Sequence, residues 1–143
     1  TRDMTLAVAD SPDADAFGVS LLARYRGQRD TDTARHLYEV YCKDADNVLQ
    51  IAAASPALFE RFDNARPNIA AEAVFSARNE MLLHLDDFVL RRTGLGTIGN
   101  PGADAVRRSA ELIGQELGWS QDRISGETDA MLALFPRLYD EAA

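Results

Sequence analysis

The strongest constraint on what this chain can become is the stretch from Glu72 to Gly96, EAVFSARNEMLLHLDDFVLRRTGLG. Leading into it and through it, the apolar residues Ala70, Val74, Ala77, Met81, Leu85 and Phe88 recur at steps of three and four. Side chains at that spacing stack on one face of an α-helix, so the pattern predicts a central helix or helix pair with an apolar seam. Glu72, Ser76, Asn79 and Asp86 fall on the opposite side and are expected to face water. Arg91-Arg92-Thr93 then leads into Gly94, Gly96 and Gly99, where any helix must end.

Helical signals continue on both sides. Ser11-Pro12-Asp13 supplies a capping hydroxyl, a proline for the first turn and an acid beside it. It predicts a helix to about Arg26, with Phe17, Leu21, Leu22 and Tyr25 inward and Gly27 closing it. Asp30-Thr31-Asp32 starts the next, with Leu37, Val40 and Tyr41 as its buried side, and Lys43-Asp44 breaks it. Ala45 to Ala54 forms a third, with Val48, Leu49 and Ile51 apolar. Ser55-Pro56 opens a short helical turn, ALFERF, and Asn64 to Asn68 is a loop because Pro67 disfavours helix at the residue before it. Past the glycines, Asn100-Pro101 repeats the cap-plus-proline start. Val106, Ala110, Ile113 and Leu117 make another clean ladder, which Gly118 ends. Ser120 caps a last helix with Ile124, Met131, Leu134 and Phe135 as its apolar points. Gly126 weakens the middle of that helix by ~1 kcal/mol relative to alanine, and Pro136 ends or kinks it. No alternating β-branched run and no internal repeat is present. The expectation is an all-α fold, a single compact domain of about six to seven helices with short loops. Residues 1–10 read as a lead-in from a preceding domain and 11–143 as the helical domain itself.

A chain of 143 residues has the size of one domain with its own core. The formal net charge of -8 repels nucleic acid and anionic membrane surfaces, which argues against a helix-turn-helix DNA binder. No run approaches the ~18 apolar residues of a spanning helix. The opening TRDMTLAVADSPDAD lacks the basic-then-apolar order of a signal peptide. The single cysteine, Cys42, excludes an internal disulfide framework and fits a reducing, cytoplasmic compartment.

Few residues suggest chemistry. Gly94-Leu95-Gly96-Thr97-Ile98-Gly99 satisfies G-x-G-x-x-G, but a dinucleotide site needs a strand before it and a βαβ unit around it. A helical segment precedes it here, so the reading is a helix–helix loop. Glu80, His84, Asp87 and Arg91 would line one stripe of an unbroken helix. A metal site wants more ligands than these, and the simpler reading is two acid-first pairs, Glu80 with His84 and Asp87 with Arg91, each worth ~0.2–0.5 kcal/mol. Arg91-Arg92 near a helix C-terminus offsets the helix dipole, with at least one Arg expected close to the packed face. An anion such as phosphate or a lipid head group is the other reading of that pair. His36 reads as a polar helix residue, Cys42 as a small buried hydrophobe and Trp119 as a core anchor. No Ser–His–Asp set, zinc spacing or lysine-bearing phosphate loop is present. A well-patterned chain with two His, no catalytic constellation and no initial Met suits a non-catalytic domain cut from a larger protein.

The same residues carry a resemblance. The run through Glu80, Asp87, Val89-Leu90, Arg91-Arg92-Thr93 and Leu95-Gly96 resembles the C-terminal helical domain of FAD-dependent glycerol-3-phosphate dehydrogenases. So do Glu116-Leu117-Gly118-Trp119 and the helix bearing Arg123 and Glu127. The likeness covers most of the chain and is specific over residues 72–123. It implies a parent whose N-terminal part holds FAD and oxidises sn-glycerol 3-phosphate to dihydroxyacetone phosphate, passing electrons to quinone or oxygen. It implies no FAD and no catalytic residue in this fragment, which would pack as a cap-like module on the FAD and substrate domain of the same chain. Glu80, Asp87, Arg91, Arg92, Thr93 and Trp119 become its expected structural or interface residues. A parent peripheral to the cytoplasmic face of the inner membrane, and homo-oligomerisation, fit that picture. The alternative is a free-standing helical interaction module with an exposed apolar groove.

Overall fold

The computed structural model describes Ser20 and residues 31–139. The lead-in over 1–10 and, Ser20 apart, the helix expected from Ser11 to Arg26 lie outside the described residues. Six α-helices follow: α1 (Thr31–Tyr41), α2 (Ala45–Ala53), α3 (Pro56–Phe59), α4 (Ala70–Asn79), α5 (Ala103–Leu117) and α6 (Gln121–Tyr139). A 3-10 turn, Cys42–Asp44, joins the first two, and a π-helical turn, Asp87–Arg92, lies between α4 and α5. Among the described residues the β-type pairing is an isolated antiparallel bridge between Arg61 and Ile69. The all-α expectation holds.

Helix α4 is the wall between two apolar cores. Every residue from Ala70 to Ala77 is buried. Ala71 and Phe75 belong to a cluster with Leu37, Tyr41, Val48 and Leu49 of α1 and α2. Ala70, Ala73 and Ala77 belong to another, with Phe88, Val106, Ile113 and Phe135. Alanines on both sides keep α4 thin, so flanking helices approach closely. Each large apolar side chain buried there is worth ~1.5–3 kcal/mol. This corrects one expectation: Glu72 and Ser76 are completely buried rather than facing water. A helix packed on opposite sides has no solvent face to give them.

The seam does not run through one helix. Helix α4 ends at Asn79, and Glu80 closes it by donating its backbone N–H to Ser76 O at 2.9 Å. Met81 then adopts φ +50°, a left-handed conformation that costs a non-glycine residue ~1–2 kcal/mol. Its side chain is 91% exposed instead of lying on the seam, and Leu82 enters the core. Leu85, just before the π turn, and Phe88 and Val89 within it lie in the same core. That turn closes with Thr93 donating both its N–H and its hydroxyl to Phe88 O, at 3.2 and 2.9 Å.

The second half keeps closer to expectation. Gly118 closes α5 in the left-handed conformation, and Ser120 Oγ caps α6 by accepting the Arg123 N–H at 3.2 Å. Asn100-Pro101 departs from its reading: Asn100 accepts the Gly102 N–H at 2.9 Å in a local turn, and the helix begins only at Ala103. Pro136 does not end α6, which runs on to Tyr139. In α1, Leu37 and Tyr41 are buried but Val40 lies outward. Helices α5 and α6 meet at Gly114, where a Cβ would stand 2.7 Å from Ile124 Cδ1. Glycine is required there by the approach of the neighbouring side chain.

Candidate functional site

Two polar assemblies hold the domain's loops. The first fastens the irregular link Met81–His84 to α6. Glu127 Oε2 accepts the Leu85 N–H at 2.8 Å, and Glu127 Oε1 lies 2.9 Å from His84 Nδ1. Arg123 donates to Leu83 O at 2.7 Å while its guanidinium stacks 4.3 Å over the Trp119 ring. From the other side, Asp87 accepts the N–H groups of His84 and Leu83 at 3.2 and 3.3 Å and pairs with Arg91 at 2.8 Å. The carboxylates thus satisfy the orphan N–H groups at the start of the π turn. The hydrogen bond and charge of Glu127 raise the pKa of His84 above its ordinary value. Burial pushes the Asp87 carboxyl up, but the N–H groups of His84 and Leu83 and the Arg91 charge outweigh it and hold the pKa low.

Beside this clasp a groove of about 380 Å³ runs along α6. Gly126, Ala130, Met131 and Leu134 floor it. His84, Asp86, Arg123 and Glu127 form its rim.

The second assembly lies inside. The Glu72 carboxylate, with no exposed surface, accepts the Ile69 N–H at 2.7 Å and the Tyr41 hydroxyl at 3.1 Å, and meets His36 Nε2 at 2.9 Å. Asn68 Nδ2, 3.0 Å from the same His36 nitrogen, donates to Thr93 O at 3.2 Å. One carboxylate therefore links α1, the loop before α4, α4 itself and, through Asn68, the end of the π turn. Burial, followed by the Glu72 charge, raises the Tyr41 pKa well above its ordinary value, so the phenol stays a donor.

The expected residues distribute between these assemblies. Asp87, Arg91 and Trp119 belong to the α6 clasp, and Thr93 lies at the edge of the Glu72 assembly. Glu80 caps the end of α4, and Arg92 donates to its carbonyl at 3.5 Å. Arg91 and Arg92 are both exposed, so neither lies against the packed face. The Asp87–Arg91 pair forms as read, whereas His84 turns to Glu127 instead of Glu80. Sequence spacing did not reveal Glu72, Asn68 and His36 as partners, because they converge from three separate segments. Among the described residues no group of three or more His, Cys, Asp or Glu side chains could hold a metal ion. The arrangement orders backbone.

Known proteins share this sequence pattern. The family described as the C-terminal domain of alpha-glycerophosphate oxidase matches residues 1–124. Glycerol-3-phosphate dehydrogenase of Synechocystis sp. is 28% identical over 116 residues, covering 78% of this chain and 21% of the relative. Glycerol-3-phosphate dehydrogenase 2 of Mycobacterium tuberculosis is 34% identical over 101 residues, 69% of this chain and 17% of the relative. The Mycobacterium leprae glycerol-3-phosphate dehydrogenase is 32% identical over 95 residues, 65% and 16%. The chain thus spans about a fifth of the length of the curated relatives it matches. No solved structure matches it. With the family match reaching from the first residue through α5 into α6, the chain belongs to the family of C-terminal domains of alpha-glycerophosphate oxidase.

Proposed function

We propose that this chain is the C-terminal helical domain, with residues 1–10 as its lead-in, of an FAD-dependent sn-glycerol-3-phosphate dehydrogenase. The family match carries this reading, together with relatives named glycerol-3-phosphate dehydrogenase that are several times longer than the matched part. The parent oxidises glycerol 3-phosphate to dihydroxyacetone phosphate, holds FAD in its upstream part and passes electrons to quinone. The present domain is the packing module of that enzyme, with Glu80, Asp87, Arg91, Arg92, Thr93 and Trp119 in structural or interface roles. Its internal geometry supports a structural task, since its best-formed polar contacts fasten its own loops. No helix among the described residues is long and apolar enough to cross a membrane. The parent sits peripherally on the cytoplasmic face of the inner membrane.

The test compares the 143-residue chain with the protein encoded by its full reading frame. The full-length protein is expected to carry flavin absorbance and to reduce a dye acceptor with glycerol 3-phosphate; the short chain is expected to do neither. Stoichiometric flavin on the short chain, or a flavin-free and inactive full-length protein, would sink the reading.

A further inference from the structure

The groove along α6 contains a glycine that no neighbour among the described residues explains. Gly114 and Gly96 are required by close neighbours: a Cβ would stand 2.7 Å from Ile124 at one and 2.8 Å from Val89 at the other. Gly118 needs its left-handed φ to end α5. Gly126 lies within the regular helix α6, and a Cβ there would meet nothing within 4 Å among the described residues. Glycine weakens a helix relative to alanine and here gains no contact among the described residues in return. Backbone left bare on a helix face is suited to close approach by something outside the domain.

The surroundings state what that something is. Gly126, Ala130, Leu134 and Leu138 recur every four residues and share one face of α6. Leu138 is 45% exposed, and Leu83, next to His84 on the rim, is 67% exposed. The charges on the rim already have partners: Glu127 holds His84 and the Leu85 N–H, and Asp86 lies 3.5 Å from Arg91. An occupant therefore needs apolar surface rather than a matching charge. A second copy brings another -8 of net charge, which opposes self-association, and the same charge opposes an anionic bilayer. Each relative, in contrast, carries most of its length outside the matched 16–21%.

We propose that the upstream part of the parent chain docks on this face of α6, laying an apolar helix or loop into the groove against Gly126. The proposal rests on the reading of the chain as a C-terminal domain and identifies which of its faces meets the rest of the enzyme.

Hydroxyl-radical footprinting of the full-length protein and of the 143-residue chain tests it without any substitution. Leu83 and Leu134 are expected to label several-fold more slowly in the full-length protein. Gly126→Ala should raise the melting temperature of the short chain by roughly 2–4 °C through helix propensity. Gly126→Leu should leave the short chain folded but lower the melting temperature of the full-length protein by several degrees. Equal labelling in both proteins, with Gly126→Leu tolerated in the full-length protein, would overturn the docking. So would protection in the short chain that appears only with rising protein concentration or with added phosphatidylglycerol vesicles. A full-length protein that binds FAD and oxidises glycerol 3-phosphate, yet leaves the groove unprotected, defeats this inference alone; one without flavin defeats the reading beneath it.

Discussion

Glu127 on the last helix accepts the backbone N–H of Leu85, forty-two residues earlier, at 2.8 Å. The start of the π turn is thus capped by a side chain from another element. Glu127→Ala removes that acceptor together with the contact to His84, and the Glu127 side chain is only 15% exposed. A loss of about 1–2 kcal/mol is expected, the size of a helix-cap deletion. Glu127→Gln keeps one acceptor oxygen and should lose less. Urea unfolding of the two variants measures both.

His84 gives this contact a pH dependence. Its folded pKa is raised by Glu127, so its contribution is fully present below the unfolded value of about 6.5 and fades as pH rises through the folded value. The stability difference between the wild-type chain and His84→Gln should therefore shrink on going from mildly acidic to alkaline buffer. Melting temperatures of the pair across that range check it; a difference growing with pH would contradict the assignment.

Asp87 carries the opposite sign. Its folded pKa is lowered, so its contribution is present above the unfolded value of about 3.9 and is lost as pH falls through the folded value. Asp87→Asn should narrow the stability lost on acidification and, at neutral pH, cost about 0.5–1 kcal/mol from the weakened cap and ion pair. Acid titration followed by circular dichroism reads both effects.

Glu72 is the costliest polar residue to remove. Glu72→Ala leaves the Ile69 N–H, the Tyr41 hydroxyl and the His36 ring without their buried acceptor, for an expected loss of about 3–5 kcal/mol. Glu72→Gln preserves the shape and one acceptor, and about 1–3 kcal/mol is expected. Equilibrium denaturation ranks the two; equal and small losses would show that the carboxylate is not the organising group.

The pair Gly114 and Ile124 separates packing from propensity. Gly114→Ala gains helix propensity but drives a Cβ into Ile124, for a net loss of about 1–3 kcal/mol. In a double-mutant cycle, Ile124→Ala should relieve that clash, so the double variant loses less than the sum of the two single losses.

Much of this was legible along the chain because the relevant contacts are local. Leu37 and Tyr41, Val48 and Leu49, and the ladder Val106, Ala110 and Ile113 sit at helical spacing and are buried as read. Gly118 and Ser120 announce the turn between α5 and α6 through their own backbone preferences. What escaped reading depends on distant partners. Met81 continues the apolar period, and the link that takes it off the seam is held in large part by Arg123 and Glu127, brought up from α6. Glu72 looked like an outer residue because periodicity reports one buried face, whereas α4 is covered on opposite sides. The clasp was half visible: Asp87 with Arg91 lies within one helical turn, but their connection to Trp119 through His84, Glu127 and Arg123 crosses the fold.

The thin helix shared by both cores has a consequence for how the domain comes apart. Peeling away either flank uncovers one side of the same ten residues, so neither flank can melt and leave the other at full strength. Amide protons between Val74 and Ala77 should be the last to exchange with deuterium, following complete unfolding rather than local opening. Those around Met81 and Leu83, pinned mainly by side chains reaching across from α6, should exchange long before them.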